Sequence, residues 1–349
     1  MLDVWTRAPS RVIGSCGCAV SGHDLCVSTV GPFFVGGTGR CGTSQLQRVM
    51  GEHPLVHAIR HETRFLVDPG GFEDLARALT VGYTPYHADD ALRRLAWLLQ
   101  ERLTGQTMEE FRGWELDQEL GAERYQNAIS GLWRELVWYD VQVDVPARRV
   151  SGGRWDHAPG EQLHHRRVIG KYFPNRAELI AILRSFVEEL FGGVAADAGK
   201  MTWLEKTPFN LLSIPFLWEL FPESTAIVIA RHPMSVVASH VDQPWAPSTV
   251  TEVLNWLAPV YERWFAARPE LLRDRRYVEV RVEGLADRWP TSRTEFFERL
   301  GLPDIDTTAV FSRDRVHHRD RQFTPVQRDE VTDRLGWVID CLGYTAPDF

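Results

Sequence analysis

FFVGGTGRCGTSQLQRVM, residues 33–50, passes from a short apolar run into a loop with glycines at 36, 37, 39 and 42, and leaves it along Leu46, Val49 and Met50 at helical spacing. Strand, glycine loop and helix is the order this implies. Gly37 and Gly42 fit the G-x4-G frame of a phosphate loop, but Thr43-Ser44 stand where a nucleotide triphosphatase carries Lys-Ser or Lys-Thr. The lysine that grips the β- and γ-phosphates is therefore missing. Successive amide N–H groups at a helix start still attract an anion, because the helix dipole and its unpaired donors both favour negative charge. Arg40, inside the loop, adds a guanidinium with several donors. Gly37, Thr38, Gly39, Arg40, Cys41, Gly42, Thr43 and Ser44 are thus the candidate anion cradle, against the plainer reading of a tight turn with a surface arginine.

Further along, Ala226-Ile227-Val228-Ile229-Ala230 is a continuous apolar run of the kind buried on both faces of a parallel sheet, and it runs directly into Arg231-His232-Pro233. Arg231 falls at the carboxyl end of that strand, where open parallel sheets bind ligands. Pro233 suits a helix start, and Ser235 and Ser239 share one face of the helix that follows. A structural ion pair is the alternative role for Arg231. Between these landmarks, residues 72–145 show mostly helical spacing, with Trp97, Trp133 and Trp138 read as core. Residues 146–170, rich in Gly, Pro, Arg and His, read as a loop or lid. Helical spacing returns over 176–191, Trp203 to Pro208 precedes another helix to about Leu220, and Tyr277–Val282 and Thr294–Leu300 read as strand and helix. The alternation predicts an α/β fold, a mostly parallel central sheet layered between helices.

The chain has 349 residues and a formal net charge of −8, which disfavours a general nucleic-acid binder; its 44% hydrophobic content is too high for a disordered chain. Only Lys171, Lys200 and Lys206 are lysines, the other basic residues being arginine. Five cysteines do not make a disulfide scaffold, and the Cys16, Cys18, His23, Cys26 spacing matches no standard zinc finger. Residues 1–30 read as a poorly structured extension without a secretory h-region, and no apolar run approaches the ~20 residues of a membrane span. A cytoplasmic protein, bound neither to membrane nor to nucleic acid, is the expectation. A phosphate-loop kinase would also need a metal-holding carboxylate at a strand end, and the best buried strand ends in Arg231, so the chemistry reads as metal-free.

The 33–50 segment resembles the 5′-phosphosulfate loop of sulfotransferases that use 3′-phosphoadenosine 5′-phosphosulfate, and AIVIARHPMSVVASH resembles their 3′-phosphate motif, an arginine followed eight positions later by a serine, here Arg231 and Ser239. The resemblance implies a fold like that of the nucleotide kinases over residues 31–349, with 72–170 as a helical and loop insertion covering the acceptor side. EKTPF resembles the segment that brings a lysine to the sulfate, which makes Lys206 the second cation beside Arg40. HPLVHAIRHETRFL resembles the stretch of tyrosylprotein sulfotransferases whose Glu-Thr-Arg supplies the base, which makes Glu62 the base; His61 is its rival, since imidazole titrates near neutrality. Arg281-Val282-Glu283-Gly284-Leu285 departs from the usual Arg-Tyr-Glu-Asp-Leu, so an aromatic contact near the nucleotide is lost, and Ser312 is a weak further candidate. The implied reaction is sulfuryl transfer to a hydroxyl of a small molecule, aromatic or glycosylated. A small-molecule kinase and a non-catalytic nucleotide binder are the alternatives.

Overall fold

The computed structural model describes residues 30–104, 115–151, 154–289, 291–311, 316 and 323–344, with backbone alone over 143–166. The Cys16–Cys26 cluster and Ser312 lie outside the described residues. In chain order the elements are β1 (Phe33–Gly37), α1 (Thr43–Gly51), β2 (Val56–Ala58), α2 (Phe72–Ala78), α3 (Pro85–Trp97), α4 (Leu116–Leu120), α5 (Ala122–Leu136), β3 (Val137–Ser151) and β4 (Arg154–Gly170). There follow α6 (Arg176–Val187), α7 (Gly193–Asp197), β5 (Thr202–Lys206), α8 (Ile214–Leu220), β6 (Thr225–Ala230), α9 (Pro233–Val241), α10 (Val250–Leu271), β7 (Tyr277–Arg281), α11 (Val282–Asp287), α12 (Thr291–Arg299) and α13 (Pro325–Cys341).

The chain divides into two compact units, one made of Met1–Glu62 with Gly192–Phe349 and the other of Thr63–Phe191. The first holds a five-stranded sheet in the order β2-β5-β1-β6-β7, every pairing parallel. With helices layered on it, this is the phosphate-loop-like α/β architecture expected from the strand–glycine–helix pattern. β1 and β6 are buried along nearly their whole length, which explains why they read as unbroken apolar runs. One charge sits deep in this core. Glu279 of β7 accepts Arg268 Nη2 at 2.7 Å and Nε at 2.9 Å, and Tyr277 Oη at 2.7 Å, so the buried carboxylate is paired and hydrogen-bonded at once.

The second unit is helical except for an antiparallel hairpin of β3 and β4. Here the sequence reading needs correction. The hairpin replaces both the end of the helical spacing read over 72–145 and the loop or lid expected over 146–170. The period-2 signal was present: Val141, Val143 and Val145 alternate with Asp140, Gln142 and Asp144. Helical spacing breaks at Leu136, the last residue of α5. None of the three tryptophans is core: Trp138 is 66% and Trp97 39% exposed, and Trp133 is half-buried.

Candidate active site

The glycine loop is shaped by close approach. A Cβ on Gly37 would stand 2.3 Å from Cys41 Sγ and 2.8 Å from the Ile229 carbonyl, so the turn closes only without a side chain there. Gly42 caps α1 with φ +106°, and its own Cβ would stand 2.9 Å from Val282 Cγ2. Its carbonyl accepts Gln45 N and Leu46 N, both at 3.0 Å, and the Gly42 cap of α1 supplies no side-chain cap bond. Gly42→Ala is expected to lower unfolding free energy by about 1–3 kcal/mol through the left-handed backbone and the Val282 contact together, read from urea denaturation midpoints; an unshifted midpoint contradicts the geometry.

Arg40 is a non-glycine residue with positive φ, +52°. Such a conformation costs about 1–2 kcal/mol and persists only where its surroundings impose it. They do so twice: Arg231 Nη1 donates to the Arg40 carbonyl at 2.9 Å, and Arg40 Nε donates to Ser239 Oγ at 3.1 Å. Arg231, at the end of β6, and the buried Ser239, on α9, therefore meet Arg40 in one hydrogen-bonded group, with Arg231 Nη2 also donating to the Val316 carbonyl. A cavity of about 100 Å3 opens here, lined in part by Gly42, Gln45 and Arg231. Beneath it, Cys41 is fully buried and its thiol is pushed up to about 11 by that burial, which keeps it protonated and inert as a nucleophile.

A second group forms beside the first strand. Val35 of β1 registers with Lys206, the last residue of β5, so the two parallel strands finish at the same, carboxyl end of the sheet. Lys206, 4% exposed, donates from Nζ to Glu62 Oε1 at 2.9 Å. The neighbouring Glu205 takes no part in this pair and instead accepts Thr207 Oγ1 at 2.7 Å and Asn210 Nδ2 at 2.6 Å. The segment approaching Glu62 is tied down by Gln47 of α1, whose Nε2 donates to the carbonyls of Ile59 and, at 3.0 Å, Arg60. His61 is half-buried beside Glu62 in the chain.

Four supporting residues escape sequence reasoning. Gln47 and Asn210 are two of them; an amide on an otherwise apolar helix face is the signal Gln47 gives. Glu283, in the segment that departs from Arg-Tyr-Glu-Asp-Leu, accepts His232 N at 2.8 Å and Tyr344 Oη at 2.9 Å; burial raises its carboxyl above the ordinary range, while Arg231 opposes that shift. His240, buried against the loop, faces the Cβ position of Gly39 with Nε2 at 3.2 Å, and burial first, then Arg40, lowers its proton affinity. Among the described residues, no three His, Cys, Asp or Glu side chains gather as a metal site.

The model of the Sulfotransferase family matches residues 32–306, a span holding both arginine motifs, Lys206 and Glu62. This chain belongs to the sulfotransferase family. Nodulation protein NoeE of Sinorhizobium fredii is 30% identical over 100 residues, 29% of this chain and 24% of that protein, so the chain spans about a quarter of the curated relative it matches. Among solved structures, the sulfotransferase domain from the Synechococcus PCC 7002 olefin synthase aligns over 87% of this chain and 94% of its own at 15% identity and a TM-score of 0.43. A sulfotransferase from Alicyclobacillus acidocaldarius aligns over 90% and 96% at 12% identity and a TM-score of 0.41. Among the described residues no helix is long and apolar enough to cross a membrane.

Proposed function

We propose that the chain transfers a sulfuryl group from 3′-phosphoadenosine 5′-phosphosulfate to a hydroxyl of a small-molecule acceptor, aromatic or glycosylated, in the cytoplasm. The observation that carries the reading is the pair of Lys206 and Glu62 at the carboxyl end of the sheet, where the arginine-bearing glycine loop begins. Cation and carboxylate side by side are what the chemistry asks for: charge to stabilise on one oxygen, a proton to remove from another. The glycine cradle, the N-terminal end of α1 and the cavity beside Arg231 suit an anionic ligand. When bound, the donor supplies the sulfuryl group for in-line displacement.

In this reading residues 37–44 hold the 5′-phosphosulfate through backbone amides. Arg40 and Lys206 neutralise charge on the sulfate and on the leaving oxygen. Glu62 takes the acceptor proton, and the hydrogen bond from Lys206 keeps its carboxylate aimed until then. Arg231 and Ser239 hold the 3′-phosphate. Arg231→Ala is expected to weaken binding of 3′-phosphoadenosine 5′-phosphate by about 1.5–3 kcal/mol, the scale of hydrogen bonds to charged groups, in calorimetry. Unchanged affinity removes Arg231 from the 3′-phosphate site.

An acceptor screen with the sulfate donor, read by mass spectrometry for an added sulfuryl group, tests the whole reading. Products are expected from hydroxyl-bearing aromatic or glycosylated acceptors. Phosphorylated products from ATP and magnesium, with none from the sulfate donor, would move the assignment to a kinase; binding without transfer to any acceptor would make it a nucleotide-binding protein.

A further inference from the structure

The helical unit carries a cleft of about 700 Å3 that the proposed transfer chemistry does not use. Its volume lies in the range of sites for small organic ligands. One wall is the end of α3 and the π-helical turn that continues it, Leu98–Arg102; the other is α5, with the first residues of β3 closing one end. The walls are fastened to each other. Tyr125 of α5 donates its hydroxyl to the Leu99 carbonyl at 2.8 Å, and burial raises that hydroxyl well above its ordinary range, so it stays a donor. The cleft is therefore built in advance of any ligand. π-helical turns concentrate at functional positions, and this one contributes Leu99 and Gln100 to the lining.

What lines the cleft selects its ligand. Trp133 and Trp138 supply indole faces, the second of them 66% exposed, a large apolar area left in water. Trp133 Nε1 donates to Asp140 Oδ2 at 3.4 Å, which sets its ring against a carboxylate at the same edge. Gln100, Asn127 and Ser130 add amides and a hydroxyl that both donate and accept. Asp140 and Arg134 balance each other in charge, so a strongly anionic or cationic ligand gains little here. Flat aromatic faces beside short-range, two-way hydrogen-bonding groups match a sugar ring, whose C–H face stacks on indole while its hydroxyls bridge amides and carboxylates.

We propose that this cleft binds a neutral saccharide. That the saccharide belongs to the acceptor rests on the function proposed above; the binding itself does not. The experiment uses the full chain without any sulfate donor, with methyl glucoside, methyl galactoside, methyl mannoside and cellobiose as probes, followed by saturation-transfer NMR and tryptophan fluorescence. At least one probe is expected to bind saturably at or below about 50 mM, the regime of weak single-site ligands. Trp138→Ala is expected to weaken that binding about tenfold or more, Asn127→Ala to weaken it measurably, and Trp337→Phe, outside the cleft, to leave it unchanged. Trp138 is exposed enough that its removal leaves the core intact, and circular dichroism checks this. Absence of binding for all four probes, or wild-type affinity in both cleft variants, overturns the proposal. Because no donor is present, neither result depends on whether sulfuryl transfer is later found.

Discussion

Glu62→Gln is expected to lower turnover with the sulfate donor by about 10²–10⁴-fold, the range a positioned general base contributes, while affinity for 3′-phosphoadenosine 5′-phosphate stays within about twofold. The substitution suits the site. A glutamine carbonyl still accepts the hydrogen bond that Lys206 Nζ gives to Oε1 at 2.9 Å, so the side chain keeps its place and loses only its capacity to take a proton. Steady-state kinetics and calorimetry on the same preparation separate the two effects. Turnover close to wild type removes Glu62 from the mechanism, and a large loss in His61→Asn instead would transfer the role to its neighbour.

Lys206→Met is expected to cost about 10²–10³-fold in turnover, the scale of removing one preorganised group that stabilises developing charge. Methionine keeps the length of the stem, which is buried, and deletes the ammonium. Lys206→Arg is expected to recover only part of the loss, because a planar fork cannot occupy the position of a compact cation. The pair should also behave as a unit: in Glu62→Gln with Lys206→Met, the combined loss is expected to fall well short of the product of the single losses, since each side chain depends on the other for its position. Turnover of Lys206→Met within about threefold of wild type would contradict the assignment, and strict multiplicativity in the double variant would mean that the two act independently.

The parts of this fold legible in the sequence are those with local causes. Phe33–Val35 and Ala226–Ala230 announce buried parallel strands by composition, and the glycines between Gly36 and Gly42 mark the turn because no other residue fits the close approaches there. The β3–β4 hairpin was hidden by the Gly, Pro, Arg and His of its second half, although its first half alternates valine with polar residues. β2 has three residues, too few to show a period, and α10 carries Pro259 and Pro269, which ordinarily signal a break. At the site, the candidate residues came from the glycine frame, the strand-end arginine and resemblance to sulfotransferase segments, but their partners did not. Nothing local says that Lys206 pairs with Glu62 rather than with the adjacent Glu205, or that Gln47 and Asn210 bind carbonyls from other segments; such contacts exist only once the strands are side by side.

The clamp on Arg40 makes the glycine motif less portable than it looks. Residues 36–44 contain every glycine the turn requires, but the Arg40 carbonyl is held by a guanidinium 191 positions away and its side chain by a serine 199 positions away. Grafted onto another strand and helix, the same nine letters would bring the turn without the restraint, and Arg40 would relax to an ordinary right-handed or extended conformation with its side chain aimed elsewhere. A sequence match to this loop alone therefore identifies a turn; the cradle is a joint property of two segments, and transplanting it means transplanting the end of β6 and the face of α9 as well.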